Sequence, residues 1–519
     1  MRKWIAVLTV LAVLVGGGVF AFQRHQEQVR RDDRAAAEAV LTRFVAAWNA
    51  KDYARLGPLT ASDPDAGESF RLLASRLKAT SLVVKPGAFT QNGSHLAYHV
   101  DADLSGLGAF GWDNELVATK ASGTWRVRFT SATVFPGLQN RQVLTRSTPV
   151  VTRGSLVDVR GAAIRPASAD LAANVLGSPK EPLTGLERVY DTQLTGTSGG
   201  DVQVVDKSTG SVVRVVKTFP AKDPAPVSTT LDLRLQSAAE AAMAGVSGRG
   251  AMVVLDTRTG AIRAVVNRPV AGLPAAFRSE APGSTFKILV AAAALQRGLT
   301  PSSVVSCPES VVKGGKRFVN DEPLPASMTL TQAFARSCNT AFINIADTFP
   351  KGTLRALAPT FGFDTGPLLP TGAEGGSVPP PASTSEAYAD VIGQGRVEAS
   401  PLLLATVSAA VASGTWRQPS LIPGATVKTA NLPTSVLAPL RQLMAAVVTS
   451  GTAATARLPA GTHGKTGTAE YGTGTPLPTH AWFTGYRGDL AFCVYLENGV
   501  SGGRAAAPVA AAFLRAVAP

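Results

Sequence analysis

Ser284 and Lys287 lie three residues apart in the stretch APGSTFK, and this pair of side chains can do chemistry. A Pro-Gly turn precedes Ser284, and the residues from there to about Gln296 are good helix formers, so the two side chains should project from one helix face. A serine hydroxyl is a weak nucleophile until a base removes its proton. Lysine can be that base when burial or nearby positive charge depresses its pKa. The stretch therefore predicts a serine nucleophile with a lysine base.

The spacing of this pair is weak support when taken alone. Ser75 and Lys78 have the same spacing, and no partner motif lies near them in the sequence. An ordinary amphipathic helix also produces such pairs, because residues three apart share a face. Other motifs must therefore decide whether Ser284 is a nucleophile.

A second motif, Ser337-Cys338-Asn339, follows Ser284 along the chain. It lies between an apparent helix over 330–336 and another over 340–346, where a hydroxyl and an amide can enter a cleft. Both serine and asparagine are also good helix caps, and for the motif alone that structural role is the better interpretation.

The third motif is HGKTGTAE at residues 463–470, which alternates like an edge strand. Lys465 and Thr466 offer a cation and a hydroxyl to a carboxylate, and Gly467 lets another backbone approach closely. The stretch HAWFTGY, residues 480–486, should form the neighbouring strand. A basic surface turn is the alternative interpretation of this motif on its own.

The order S-x-x-K, S-x-N and K-T-G, beginning at 284, 337 and 465, is far more specific than any single motif. The combination resembles that of the serine penicillin-binding proteins and the related β-lactamases. From about residue 150 to the end, the chain resembles class B penicillin-binding proteins, which are membrane-anchored peptidoglycan D,D-transpeptidases. The stretches that carry this resemblance are PGSTFK, GKTGTAE, HAWFTGY, IGQG and RGSLVDVRG.

The resemblance implies a role for each motif residue. Ser284 would attack the D-Ala-D-Ala carbonyl of a stem peptide, with Lys287 as its base. An amine of a neighbouring stem peptide would then resolve the acyl-enzyme, and β-lactams would acylate the same serine. Ser337 and Asn339 would relay the proton and hold the donor peptide, and Lys465 would supply positive charge. Thr466 and Thr468, on either side of Gly467, would bind the terminal carboxylate of the donor. The backbone N–H groups of Ser284 and Thr468 would form the oxyanion hole.

Three alternatives stay open: a β-lactamase of the same fold, a D,D-carboxypeptidase that uses water as acceptor, and a non-catalytic β-lactam sensor or scaffold. The expected partners are peptidoglycan stem peptides, β-lactams and the cytoplasmic membrane. A glycan polymerase of the shape, elongation, division and sporulation family is implied only by the resemblance. We expect no cofactor, no metal and no nucleic acid.

The N-terminus predicts a location at the cell membrane. Arg2 and Lys3 precede about 19 apolar residues, which is long enough to span a bilayer. Positive charge before such a span predicts a cytoplasmic N-terminus and an extracytoplasmic bulk of the chain. We therefore expect an uncleaved, single-pass anchor at 1–23, with a cleaved signal peptide as the alternative. The net charge of +14 suits an anionic membrane or cell wall.

The chain should have a multidomain α/β (α+β) fold. A polar stalk is expected over 24–34, and apolar residues at helical spacing predict a helix over 35–49 that resembles the first helix of nuclear-transport-factor-2-like domains. These are small cone-shaped α+β folds, and strand-like runs follow at 81–85, 95–102, 115–119 and 124–135. We expect that domain over 35–140, a β-rich pedestal of the dimerisation type over 141–225, and a transpeptidase domain with an antiparallel sheet flanked by helices over 226–519.

The chain has three cysteines, Cys307, Cys338 and Cys493. An odd number leaves at least one of them unpaired. We expect three free, buried thiols, with a disulfide between Cys307 and Cys493 as the alternative.

Overall fold

The computed structural model describes two compact units. It covers residues 2–61, 65–147, 153–196, 199–270 and 274–518, with side chains described from residue 19 onward. One unit comprises Met1–Arg153 and Thr195–Pro224, and the other comprises Gly154–Leu194 and Ala225–Pro519. Each unit has a hydrophobic core of its own.

A long helix, Arg2–Asn49, begins the first unit. The apolar side chains that predict a helix over 35–49 are buried in the core of this unit: Ala37, Val40, Leu41, Phe44, Val45 and Trp48. The expected stalk, residues 24–34, continues the same helix, and its side chains are mostly exposed. Arginine, glutamine and glutamate are good helix formers, so a polar stretch need not interrupt a helix.

The predicted membrane anchor, residues 1–23, falls largely on residues 1–18, whose side chains lie outside the described ones. Residues 19–23 belong to the long helix and are exposed. Within the part of the chain that the structure describes, no helix combines enough length with enough apolar character to cross a membrane.

Two antiparallel sheets complete the first unit. The four-stranded sheet follows the helix Ala66–Leu77 and has its strands in chain order: Ala79–Thr90, His95–Leu104, Gly108–Ala121 and Thr124–Val127. The three-stranded sheet has the order Gln142–Arg146, Gly200–Asp206 and Val212–Phe219. The strand predicted over 124–135 is wrong beyond Val127, because Thr130 forms a capping box with Thr133 and starts the short helix Ser131–Val134.

The second unit is built on a five-stranded antiparallel sheet. Its strand order is Ile262–Arg268, Gly250–Asp256, Leu490–Leu496, Thr479–Arg487 and His463–Glu470. Gly250–Asp256 is buried along its whole length, in agreement with its continuous apolar run. His463–Glu470 lies at the edge of the sheet, as its alternating sequence predicts.

Helices surround this sheet. Pro401–Ser413 packs on the strands Gly250–Asp256 and Leu490–Leu496, while Lys287–Gln296 contacts Thr434–Thr449 and Asn339–Ala346. Nine of the ten residues of Lys287–Gln296 are buried, as expected for a helix that is apolar on all sides. Further helices of the unit are Leu233–Ala242, Leu330–Ala335, Thr353–Leu357, Thr384–Val391 and Ala507–Ala516.

Residues 154–194 belong to the second unit, whereas the remainder of the expected pedestal, 141–225, contributes mainly to the first. The buried carboxylate of Asp170 accepts a hydrogen bond from the backbone N–H of Asn267 at 2.8 Å and one from the Arg268 guanidinium at 3.2 Å. A short parallel pairing of Leu156–Val157 with Val227–Ser228 adds to this attachment. These contacts explain why the segment 154–194 groups with the large sheet.

A disulfide joins Cys307 and Cys338, whose Cα atoms are 6.4 Å apart, and Cys493 is a free, buried thiol. The expectation of three free thiols is therefore wrong, and so is the alternative pairing of Cys307 with Cys493. The two bonded cysteines are 31 residues apart. Cys307 follows the short strand Val304–Ser306, while Cys338 precedes the helix Asn339–Ala346, and only tertiary packing brings these segments together.

Candidate active site

Ser284 lies in a 3₁₀ turn, Gly283–Phe286, that leads directly into the helix Lys287–Gln296. The α-helix predicted from Ser284 therefore begins three residues later, but side chains at positions i and i+3 of a 3₁₀ turn also face the same way. Lys287 Nζ donates a hydrogen bond to Ser284 Oγ over 2.9 Å, and both residues are buried. The structure thus brings together the nucleophile and the base that the sequence predicts.

The amine of Lys287 is surrounded by oxygen atoms. It donates to the main-chain oxygen of Ser337 at 2.9 Å and to Asn339 Oδ1 at 2.6 Å, and Ser337 Oγ lies 3.3 Å away. Burial lowers the pKa of Lys287 to about 7, while the carboxylate of Asp321 acts in the opposite direction. A substantial fraction of this amine is therefore neutral at neutral pH, and a neutral amine can accept a proton.

The hydroxyl of Ser337 lies between two buried lysines. Lys465 Nζ donates to Ser337 Oγ at 2.9 Å and to the main-chain oxygen of Thr466 at 3.0 Å. Burial, followed by the positive charge of Lys287, holds the pKa of Lys465 well below its usual range. Like charges this close in a buried site disfavour each other. The Ser337 hydroxyl therefore connects two amines of depressed pKa by hydrogen bonds along which a proton can move.

The backbone around Ser337 and Asn339 presents both side chains to Lys287. Ser337 has φ 59°, in the left-handed region that residues other than glycine rarely adopt. Asn339 begins the helix Asn339–Ala346, and its Nδ2 donates to the main-chain oxygen of Val319 at 3.0 Å and to Asp321 Oδ1 at 3.2 Å. These two bonds leave Asn339 Oδ1 directed at the Lys287 amine.

The edge strand His463–Glu470 runs against the backbone of the Ser284 turn. A Cβ atom on Gly467 would lie 2.6 Å from the main-chain oxygen of Pro282, and one on Gly283 would lie 2.3 Å from that of Thr468. Neither position has room for a side chain, and Gly283 also has a positive φ of 53°. The two glycines therefore bring the backbone of Thr468 against the residue before Ser284.

Two hydroxyl-bearing residues, Thr466 and Thr468, follow Lys465 in the same strand. Thr466 Oγ1 lies 2.6 Å from Thr452 Oγ1, and the backbone N–H of Gly502 donates to Thr468 Oγ1 at 3.4 Å. Thr468 is half-buried, whereas Lys465 is fully buried. Hydroxyl groups and an amine are side-chain donors that can bind a carboxylate.

Several residues of the site carry no sequence signal. Asp321 acts electrostatically on both lysines, yet it belongs to no motif. Asn320 and Cys307 hold the start of the helix Asn339–Ala346 through contacts that span many residues. No local pattern could have identified them, because their roles depend on how distant segments pack.

Two family models match the chain. The penicillin binding protein transpeptidase domain matches residues 250–515, just over half of the chain. The chain belongs to this family. The NTF2-like N-terminal transpeptidase domain matches residues 36–142 of this penicillin-binding protein. The resemblance to class B enzymes with such an N-terminal domain is thereby confirmed.

Relatives with curated names support the same assignment. The penicillin-binding protein is 30% identical over 400 residues to the peptidoglycan D,D-transpeptidase PbpA of Mycolicibacterium smegmatis, covering 64% of this chain and 79% of the relative. It is 29% identical to PbpA of Mycobacterium tuberculosis H37Rv over the same shares of the two chains.

Solved structures share the fold. A chain from a study of how a peptidoglycan synthase complex coordinates polymerization and crosslinking has a TM-score of 0.64 at 22% identity, covering 72% of this chain and 91% of that one. Penicillin binding protein 3 from Mycobacterium tuberculosis, complexed with aztreonam, has a TM-score of 0.59 at 24% identity, covering 71% and 96%. The predicted fold class, with an antiparallel sheet flanked by helices, is confirmed.

Proposed function

We propose that this penicillin-binding protein is a serine D,D-transpeptidase that cross-links peptidoglycan stem peptides and is acylated by β-lactams. The observation that carries the proposal is the hydrogen-bonded series Ser284, Lys287, Ser337 and Lys465, in which two buried amines flank a hydroxyl and one of them contacts the nucleophile. The names of the PbpA relatives agree with it.

Acylation begins with attack of Ser284 Oγ on the carbonyl of the D-Ala-D-Ala bond. Lys287 in its neutral form takes the hydroxyl proton, which its distance of 2.9 Å from Ser284 Oγ and its pKa of about 7 both favour. The carbon–nitrogen bond then breaks, and the leaving D-alanine amine needs a proton. Ser337, hydrogen-bonded to Lys287 and Lys465, can deliver that proton.

The negative charge that develops on the carbonyl oxygen needs preorganised donors. The backbone N–H groups of Ser284 and Thr468 are our candidates, since the close approach at Gly283 and Gly467 brings these two backbones together. One such donor is worth about 2.7–4 kcal/mol of transition-state stabilisation. Lys465, with the hydroxyls of Thr466 and Thr468, would hold the terminal carboxylate of the donor peptide.

A second amine completes the reaction that we propose. The amine of a neighbouring stem peptide attacks the acyl-enzyme ester and gives a proton to neutral Lys287. The bond to Ser284 Oγ then breaks, and Lys287 passes that proton to the serine oxygen. A water molecule in the same place would make the protein a D,D-carboxypeptidase or, with β-lactams as substrates, a β-lactamase. Acylation of Ser284 is the same in all three activities, so only analysis of the reaction products can distinguish between them.

We also propose the membrane location and the polymerase partner. Arg2 and Lys3 before an apolar run support an anchor at 1–23 with the catalytic unit outside the cytoplasm. The similarity of fold to a chain from a peptidoglycan synthase complex supports a glycan polymerase as partner.

Labelled penicillin tests the proposal. The wild-type protein should form a covalent adduct that survives denaturation, and Ser284→Ala should abolish it. Equal labelling of the Ser284→Ala variant would contradict the proposal. Incubation with a D-Ala-D-Ala peptide, with and without an amine acceptor, should give a cross-linked product only with the acceptor. Hydrolysis alone would favour a carboxypeptidase, and rapid turnover of nitrocefin would favour a β-lactamase.

A further inference from the structure

The middle residue of the Ser337-Cys338-Asn339 motif is covalently attached to another segment of the second unit. Cys338 forms the disulfide with Cys307, and both cysteines are fully buried. The residues on either side of Cys338, Ser337 and Asn339, both contact the Lys287 amine. A constraint on Cys338 therefore acts on both of them, because consecutive Cα atoms are held about 3.8 Å apart.

Cys338 also begins the helix Asn339–Ala346. Its sulfur accepts a hydrogen bond from the backbone N–H of Ala341 at 3.2 Å, which places the disulfide at the helix N-cap. An N-cap partner satisfies one of the backbone donors that a helix start leaves unpaired. The disulfide thus fixes both the position and the first turn of the helix that carries Asn339.

Asn320 holds the same helix start from another side. Its Oδ1 accepts from the backbone N–H groups of Asn339 at 2.9 Å and Thr340 at 3.1 Å, and its Nδ2 donates to the main-chain oxygen of Pro308 at 3.0 Å. Pro308 follows Cys307 directly. Thr340 Oγ1 donates to the same Pro308 oxygen at 2.7 Å. Residues 307–308 therefore hold the loop around Ser337 and the start of the helix Asn339–Ala346 in place.

Ser337 shows why such a support is needed. Its φ of 59° lies in a region that is unfavourable for a residue other than glycine, and such a conformation persists only where the surroundings enforce it. This conformation is what directs its main-chain oxygen and its hydroxyl to Lys287. Without the bond at the next residue, the loop can relax to a backbone that withdraws these atoms.

We propose that the Cys307–Cys338 disulfide is a positioning device for Ser337 and Asn339, and that the thiol form of the pair is acylated much more slowly than the disulfide form. The inference rests on the proposed function, since it concerns acylation of Ser284. The two cysteines are positioning residues, because neither contacts the reacting atoms.

Formation of the disulfide is a two-electron oxidation that needs an external oxidant. The thiols of Cys307 and Cys338 form one S–S bond and give two electrons and two protons to an external disulfide, which becomes two thiols. Such oxidants are found outside the cytoplasm, where we place this unit. Because both sulfurs are buried, the bond forms while the chain folds, and it resists reductants unless the loop opens. The enzyme would therefore become able to undergo rapid acylation only outside the cytoplasm, where its peptidoglycan substrate lies.

A double variant of the full-length protein, Cys307→Ala/Cys338→Ala, tests this positioning role. The matched control is Cys493→Ala, which removes a buried free thiol from the strand Leu490–Leu496. Stopped-flow labelling with fluorescent penicillin separates the acylation rate at saturation from the concentration for half-saturation. We expect the acylation rate at saturation to fall about 10- to 100-fold in the double variant, because a displacement of catalytic groups by about 1 Å can cause such a loss. The penicillin concentration for half-saturation should change less. The Cys493→Ala control should show no comparable fall in rate.

Reduction of the wild type supplies the second measurement, in case the double variant does not fold. The protein is opened in mild denaturant with dithiothreitol, returned to buffer, and its free thiols are counted by mass spectrometry. The reduced protein should be acylated slowly, and glutathione disulfide should restore both the Cys307–Cys338 bond and the acylation rate. A folded double variant or reduced protein with the wild-type rate would overturn the inference. A wild type that is not acylated at all would instead contradict the proposed function.

Discussion

Two of the serine–lysine pairs that have S-x-x-K spacing in this protein lie in contrasting surroundings. Ser75 and Lys78 lie at the C-terminal end of the helix Ala66–Leu77, where both side chains are exposed. Ser284 and Lys287 lie at the N-terminal start of a helix whose first residues are buried. The S-x-x-K spacing brings a hydroxyl and an amine to one face, but it does not make either of them reactive.

The difference lies in which helix end the pair occupies and what packs over it. The positive N-terminal end of a helix disfavours an ammonium ion, whereas the C-terminal end favours one. Lys287 is fully buried and its pKa is lowered to about 7. Lys78 ends its helix in the left-handed conformation, with φ 48°, and its side chain is exposed to water. Burial at the N-terminal end is therefore what turns the motif into a candidate nucleophile and base.

The largest expected contrast comes from removing each lysine in turn. Lys287→Ala should slow penicillin acylation by about 10²–10⁴-fold, the usual contribution of a positioned general base. Lys78→Ala should leave the acylation rate unchanged, because the exposed amine contributes nothing to the site. Rates measured with the same labelled penicillin check both variants. Equal losses in the two variants would remove the distinction between the pairs.

A smaller loss is expected from Gly467→Ala, which separates the Ser284 turn from its neighbouring strand. The new Cβ atom would lie 2.6 Å from the main-chain oxygen of Pro282, so one backbone must move. Overpacking of this kind costs about 1–3 kcal/mol of stability, and it should also slow acylation by moving Thr468. Gly245→Ala is the control, since no neighbouring atom of the described residues lies within 4 Å of its Cβ position. A Gly467→Ala protein with unchanged melting temperature and acylation rate would contradict this account of the site.

The smallest expected effect is a shift in the pH profile of acylation. Because the proposed mechanism uses neutral Lys287 as the base, the rate should rise as the pH increases through about 7 and then level off. Asp321 raises the pKa of Lys287, so Asp321→Asn should move the midpoint of this rise to lower pH while keeping an oxygen that accepts from Asn339. The buried Lys465 amine faces the same carboxylate and should follow it in the same direction.

Glu322→Gln is the matched control for the pH experiment. Glu322 is the next residue along the chain, but its carboxylate pairs with the Arg336 guanidinium at a partly exposed position. Its loss should leave the midpoint in place. A midpoint that moves upward in Asp321→Asn, or equally in both variants, would show that the pKa of Lys287 does not control the rate.

The sequence was sufficient to predict the candidate site because its motifs are local. Ser284 with Lys287, Ser337 with Asn339, and the strand around Lys465 each consist of residues close in sequence, and their order identified the family. The helix over 35–49 and the edge strand at 463–470 were predictable for the same reason, since periodicity is a local property.

The remaining features depend on contacts between distant segments. The disulfide between Cys307 and Cys338 joins segments 31 residues apart, and the expectation of free thiols was wrong. Asp321 influences two lysines that belong to other elements of the fold. No window of sequence contains such pairs, so pattern and propensity could not predict them.

Mass-spectrometric mapping of the penicillin adduct tests the central claim most directly. The full-length protein is incubated with penicillin, denatured, digested and searched for serine residues that carry the added mass. We expect the adduct on Ser284 and none on Ser75, although both belong to an S-x-x-K motif. An adduct on Ser75 or on another serine, or an intact protein that carries no adduct, would contradict the assignment of Ser284 as the nucleophile.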